Sequence, residues 1–267
     1  MNLVDTHCHI HSVKGKDDHT TSLWLKLGLK PEEIISRAES FGVNKFICVG
    51  TDIADSRLSI EFAAKNSLCY ASIGIHPHEA HNFVNASSLK GFEGLLKQKK
   101  VVAIGECGLD YFYHHSKPDQ QKRLLRFQLD LAVKHNLPVI FHVREAFSDF
   151  WPIFDSYSKP IRGVLHSFTD SKYNLEEAIK RGLRVGVNGI ATFNKNPGAA
   201  EMYRAIPAKL LLLETDAPYL TPTPYRGNIN EPKFTKRICE YLAELREEDP
   251  NELAAQTSLN AHLLFGL

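Results

Sequence analysis

Eight short apolar runs, mostly β-branched, are spread along the chain and separated by longer stretches with helical patterning. They cover residues 2–6, 45–50, 69–75, 101–106, 138–142, 163–166, 183–188 and 210–214. Runs of this kind read as strands buried on both faces, as in parallel sheets. Parallel strands need long crossover connections, and the intervening stretches supply them. Residues 31–41 open with Pro31 and two acids, a favourable helix start. Residues 55–66, 89–97, 119–136, 146–156 and 171–181 are patterned alike, 194–206 more weakly, and helices over 234–247 and 251–265 close the chain. Alternation with eight strands predicts an α/β fold, a closed (β/α)8 TIM barrel. The 267 residues suit one such domain spanning 1–267, with no internal linker, repeat or low-complexity segment. Residues 14–30 have no clear period and are expected to form a loop over the barrel mouth.

Composition narrows the function classes. With 43% hydrophobic and 24% charged residues, the chain has the makings of an ordinary buried core. A net charge of +1 gives no strong general attraction to polyanions, so a nucleic acid would have to be drawn by a local patch. Cys8, Cys48, Cys69, Cys107 and Cys239 are odd in number, scattered, and never spaced as Cys-x-x-Cys. That excludes a disulfide framework or a zinc–thiolate cage and points to a reducing compartment. The first residues lack the basic and apolar regions of a signal peptide, and no apolar run approaches the ~20 residues that span a bilayer. A cytoplasmic location without a membrane partner is expected.

The chemistry collects where the strands end. The first run leads into His7 and His9, and the third into Gly74-Ile75-His76-Pro77-His78. The fourth ends in Glu106, the fifth in His142, the sixth in His166 and the eighth in Glu214-Thr215-Asp216. A His-x-His pair alone decides little, since chance supplies roughly 0.6 per chain at this histidine content. In a barrel, however, the C-terminal strand ends share one mouth, where active sites sit. Four imidazoles and two carboxylates crowded there would be costly unless something paired them. His7, His9, Glu106, His142, His166 and Asp216 are more than one cation needs and suit two divalent ions with open positions for water and substrate. The expected division gives His7, His9 and Asp216 to one ion and His142 and His166 to the other, with Glu106 bridging. Cys8 and Cys107 should face away from these ligands by strand alternation and pack. Asp5 precedes the strand end and is expected to orient or pack.

The motifs that carry these residues resemble the TatD family of metal-dependent deoxyribonucleases, within the amidohydrolase-like metallo-barrels. They are Asp5-Thr6-His7-Cys8-His9, Gly74-Ile75-His76-Pro77-His78, the stretch from Gly105-Glu106-Cys107-Gly108 to Leu109-Asp110-Tyr111, and Leu137-Pro138-Val139-Ile140-Phe141-His142. Leu165-His166-Ser167-Phe168, the stretch from Leu213-Glu214-Thr215-Asp216 to Ala217-Pro218-Tyr219-Leu220, and Asn230-Glu231-Pro232 complete the set in the family's order. The resemblance implies the same six ligands and hydrolysis of phosphodiester bonds in DNA, 3′-to-5′ exonuclease action supported by Mg²⁺ among the family's activities. Cys107, Asp170 and Tyr113-His114-His115 depart from the commonest family residues. None of them removes a ligand, and Asp170 is expected to add negative charge near the mouth.

The site chemistry is that of a metal-activated water, with Asp216 as general base and Glu106 as the second catalytic carboxylate. A phosphate needs cationic or hydrogen-bonding partners. His76, Arg144 and Arg226 are the candidate substrate-binding residues, with Lys195 a weaker fourth. The physiological ion is open among Mg²⁺, Mn²⁺ and Zn²⁺. The rival reading is a hydrolase of the same scaffold cutting another ester or amide, such as an aminoacyl-tRNA ester. A binding protein stapled by structural ions is disfavoured by the open coordination positions.

Overall fold

A computed structural model describes residues 1–14, 18–83, 85, 87 and 89–267. Eight parallel strands are hydrogen-bonded in chain order. They are β1 (Leu3–Cys8), β2 (Val43–Val49), β3 (Cys69–Ile73), β4 (Val101–Asp110), β5 (Val139–Arg144), β6 (Gly163–Leu165), β7 (Arg184–Val187) and β8 (Leu211–Leu213). The helices between and after them are α1 (His19–Lys26), α2 (Pro31–Ser40), α3 (Ile53–Lys65), α4 (Phe92–Leu95) and α5 (Pro118–His135), then α6 (Phe147–Asp155), α7 (Lys172–Lys180), α8 (Ala199–Ala205), α9 (Thr235–Arg246) and α10 (Pro250–Phe265). The expected TIM barrel is the observed fold.

The barrel closes just beyond β8, where Cys8 bridges Ala217 in parallel fashion. There the Asp216 N–H donates to His7 O and the His9 N–H to Ala217 O, each at 2.8 Å. Lower down, side chains replace the ladder. Thr6 Oγ1 donates to Leu213 O at 2.9 Å, and the buried Asp5 carboxylate accepts from Thr215 N at 3.0 Å and Thr215 Oγ1 at 2.5 Å. Asp5 therefore orients the seam, as expected.

Strand alternation sorts the core into two clusters. Phe46, Cys48, Val139, Phe141, Leu211 and Leu213 pack outward under the helices, whereas Ile47, Val49, Ile140, Val164 and Leu212 fill the barrel with Leu264 and Phe265 of α10. Ile104 and Cys107 both belong to the outer cluster although three apart, which strict alternation forbids. A register shift between them absorbs the extra residue and leaves Glu106 to the mouth. A second shift between Asp5 and Cys8 does the same for His7 and His9, with Cys8 outward.

Four sequence expectations are corrected. Residues 14–30 are not simply a loop: Asp18 caps α1 by accepting from Thr21 N at 2.8 Å, and Trp24, fully buried, donates to His9 O at 3.1 Å. Residues 15–17 of that stretch lie outside the described residues. The helix expected over 89–97 is a single turn, Phe92–Leu95, and the one over 194–206 begins only at Ala199. β4 also runs four residues past Glu106, to Asp110.

Two buried glutamines of α5 hold that extension and the segment that follows β3. Gln121 Oε1 accepts from Asp110 N at 2.8 Å, and its Nε2 donates to Asp110 O at 2.9 Å. Gln128, two helical turns on, does the same for the N–H and C=O of Ile75 at 2.8 and 3.0 Å. Each amide stands in for a strand edge and satisfies two backbone groups that would otherwise be buried unpaired. Gln128→Leu keeps the volume but orphans both groups, at about 1–3 kcal/mol for each. A thermal melt should show a midpoint lowered by several degrees; an unchanged midpoint would contradict this role for α5.

Candidate metal centre

The six residues named as ligands meet at the C-terminal mouth. His7, wholly buried, has no hydrogen-bond partner on either ring nitrogen among the described residues. Its Nε2 lies 3.4 Å from Glu106 Oε2 and 3.6 Å from Asp216 Oδ1, and its ring stacks on His166 at a centroid distance of 3.6 Å. His9 Nε2 is 3.3 Å from Asp216 Oδ1. His166 Nε2 faces Glu106 Oε1 at 3.8 Å and Asp216 Oδ1 at 4.0 Å. His142 Nδ1 donates to Glu106 Oε1 at 2.7 Å. One oxygen of Glu106 thus faces His7, and the other faces His142 and His166.

Each of three imidazoles is aimed by a partner on its far nitrogen. His9 Nδ1 donates to Val49 O at 2.9 Å, which turns Nε2 toward Asp216. His142 Nε2 donates to Asp110 Oδ2, and His166 Nδ1 lies against Glu214 Oε1, both at 2.9 Å. Metal-binding histidines are oriented in this way. Asp110 and Glu214 stand inside quoted motifs, yet the sequence reading gave neither a role. Their signal was position alone: an acid four residues after Glu106 and another two before Asp216. A further acid, Asp55, pairs with His11 at 3.0 Å and binds the N–H and hydroxyl of Thr51 at 2.9 and 3.0 Å, so both its oxygens are engaged.

The backbone is shaped to the same end. A Cβ on Gly108 would stand 1.8 Å from His142 O, so only glycine lets β4 lie against β5 beside that ligand. Asp216 has a φ of 57°, unfavourable for a residue with a side chain, and is held there by its N–H bond to His7 O at 2.8 Å.

Burial and charge pull on these groups in opposite directions. Burial works to raise the Glu106 carboxyl, but His76, His166, His142 and His7 outweigh it and hold it well below the usual range. Asp216 is likewise lowered, since His9, His166 and His7 overcome burial. Against burial, Asp110 and Glu106 raise His142 to about 9, while Glu214, Glu106 and Asp216 raise His166 to about 10. Burial and the neighbouring His166 lower His7.

The remaining candidates divide. His76 Nε2 lies 3.6 Å from Glu106 Oε1, and His76, Glu106 and His142 offer ligand atoms within 4.8 Å of one another, as do His7, His9 and Asp216. Arg144 lies exposed on the rim and lines the same cavity, of about 1380 Å³. Arg226 does not line it: its guanidinium lies over Phe193, 3.8 Å from the ring centroid, and donates to Thr221 O at 3.0 Å. Lys195 is exposed and also outside the lining. The Asp170 carboxylate is turned to the start of α7, accepting from Ser171 N and Asn174 Nδ2 at 2.6 Å each, and adds no charge to the cavity lining.

The profile of the family described as TatD related DNase matches residues 4–266. The chain belongs to that family. A TatD relative from Erwinia amylovora, a 3′-5′ ssDNA/RNA exonuclease, is 37% identical over 88% of this chain and 93% of its own. A Bacillus subtilis relative described as the uncharacterized metal-dependent hydrolase YabD is 36% identical over 98% of both chains. Among solved structures, the TatD homolog YJJV from Escherichia coli K12 superposes with a TM-score of 0.87 at 29% identity, covering 99% of this chain and 98% of that one.

The donor set fits divalent cations. An unpartnered His7 stacked on His166, beside two carboxylates held ionised, is a cluster whose charges a cation would satisfy. His142 and His166 keep their protons to about 9 and about 10 before a cation binds, so loading near neutral pH must release protons. The apparent affinity should accordingly weaken as pH falls. Calorimetric titration with Mn²⁺ in buffers of different ionisation enthalpy should give different heats; one common heat would contradict the assignment. Glu106→Gln should lower bound metal, read by elemental analysis, together with activity; full loading with near-normal turnover would remove Glu106 from the bridge.

Proposed function

We propose that this protein is a divalent-metal-dependent hydrolase that cleaves phosphodiester bonds in DNA, shortening strands from the 3′ end. The observation that carries the reading is Glu106, set between two groups of imidazoles at the base of an open cavity in a TatD-family barrel. That cavity, about 1380 Å³, exceeds the roughly 300–1,000 Å³ of a small-molecule pocket and suits the end of a polymer. The relatives named as 3′-5′ ssDNA/RNA exonucleases support the substrate class. Five buried free cysteines accord with work in the cytoplasm. Among the described residues, no helix is long and apolar enough to cross a membrane.

His7, His9 and Asp216 would hold one ion, His142 and His166 the other, with Glu106 between them. His76 stands close enough to Glu106 to complete the second group. Mg²⁺, Mn²⁺ and Zn²⁺ all suit this set of donors. When bound, such ions lower the pKa of water and offset the charge that builds on the phosphate oxygens. The protein's own contribution begins with Asp216. Its side chain is 16% exposed, against 6% for Glu106, so it is the carboxylate of the centre that the cavity reaches more readily. Held ionised by three imidazoles, it takes the proton from the attacking water. Asp110, Glu214 and the Val49 carbonyl keep the imidazoles from turning as charge shifts. Arg144, for which no carboxylate partner is found among the described residues, meets the phosphate at the rim.

Two measurements test this. Metal-loaded protein should degrade end-labelled single-stranded DNA, lose that activity in chelator and regain it with Mg²⁺ or Mn²⁺. Hydrolysis of an aminoacyl ester or a small carboxylic ester, with none of DNA, would instead favour the rival reading. Asp216→Asn should lower kcat by about 10²–10⁴-fold. A variant that retains both metal and rate would remove the base role.

A further inference from the structure

Where β4 ends, the chain turns through Tyr111, Phe112 and Tyr113. Phe112 and Tyr113 are each 44% exposed. Exposed aromatic residues are common and by themselves decide nothing. Three observations set this pair apart.

First, Tyr113 lines the same cavity as Glu106, His142 and Arg144. Second, the pair is held rigidly relative to the metal centre by one carboxylate. Asp110 Oδ1 accepts from the N–H groups of Phe112 and Tyr113, each at 3.0 Å, while its Oδ2 accepts from His142 Nε2 and His78 Nε2, each at 2.9 Å. The residue that aims a ligand thus also sets the turn that presents the rings. Third, among the described residues no ring stacks face to face on Tyr113. Phe112 and His78 meet it edge-on, at 86° and 79°, and His115 is tilted at 31° with its centroid 5.8 Å away. The Arg144 guanidinium lies over both rings, 3.8 Å from the Phe112 centroid and 4.9 Å from that of Tyr113, with no carboxylate partner among the described residues.

A fixed aromatic ring next to an uncompensated guanidinium, opening on a phosphodiesterase centre, matches a nucleotide group by group: a π-face for the base and a cation for the phosphate. We propose that Tyr113, braced by Phe112 and flanked by Arg144, is the stacking site for an unpaired nucleobase of the strand whose phosphate lies at the metal centre. This rests on the nuclease reading above and extends it to how the strand is gripped. A base paired within a duplex is already stacked and cannot lie on the ring, so the site selects single-stranded or frayed ends. Because stacking accepts every base, it selects no sequence.

The test pairs a variant with a change in substrate. Full-length, metal-loaded wild type, Tyr113→Ala and Tyr113→Phe are assayed on single-stranded oligonucleotides that are intact or carry one abasic residue at each of the last three positions in turn. For wild type, one abasic position should raise KM about tenfold, the loss of a single stacked base. Tyr113→Ala should raise KM about tenfold on the intact strand and bring the intact-to-abasic ratio at that position close to one. Tyr113→Phe should retain the wild-type ratio. If Tyr113→Ala raises KM equally on intact and abasic strands, or Tyr113→Phe behaves like the alanine variant, the stacking site is overturned. A wild-type enzyme that cleaves no oligonucleotide of either kind overturns the nuclease reading itself, which keeps the two failures apart.

Discussion

Glu106 carries a carboxylate into the interior of a barrel mouth, and the surrounding architecture makes that buried charge tolerable. An isolated carboxylate at such depth would be neutralised or would cost several kcal/mol. Here it is ringed by His7, His76, His142 and His166, which more than offset its burial. Those rings are themselves constrained, by Asp110 behind His142 and Glu214 behind His166. The register shift in β4 belongs to the same arrangement, since without it Glu106 would point into the packing beneath the helices. Charge, ring orientation and strand geometry are therefore one design problem with one solution.

Much of this was legible in the sequence, because the barrel turns one-dimensional punctuation into three-dimensional convergence. Apolar runs ending in His or acid locate the mouth without knowledge of the helices, and the outward placement of Cys8 and Cys107 followed from alternation with the ligands beside them, although the register shifts that set it were not legible. What escaped has physical reasons too. Asp110 and Glu214 act on other side chains, so their roles depend on ring orientations that no spacing encodes. Gln121 and Gln128 look like the polar face of an ordinary helix, and their burial against strand ends becomes visible only when α5 is docked. The α1 segment is rich in Thr and Ser, and it is held by the buried Trp24 and Thr21, bonded to the carbonyls of His9 and Ser12, rather than by a broad amphipathic stripe. The loop of Arg226 follows Asp216 in sequence, yet its guanidinium lies over Phe193, outside the cavity lining.

Chemistry and recognition are separated in space but share supports. The ligand-bearing strand ends converge on a floor, whereas the rim residues that would meet a strand stand further out, Arg144 at the last position of β5 and Tyr113 in the turn after β4. Asp110 belongs to both, with one oxygen on the floor and the other under the rim. A change in the rim turn can alter what is gripped while leaving the ligands in place. A change at Asp110 cannot.

The seam between β8 and β1 has a consequence for the life of the chain. Asp5 and Thr215, whose side chains close it, are 210 positions apart, and the ligands from the two ends of the barrel meet across the same line. A growing polypeptide has no complete centre until Asp216 has emerged and β8 has docked across a closure of 210 positions. Until then His7 and His9 wait as an open pincer. The candidate centre is thus completed only when the last strand reaches the first.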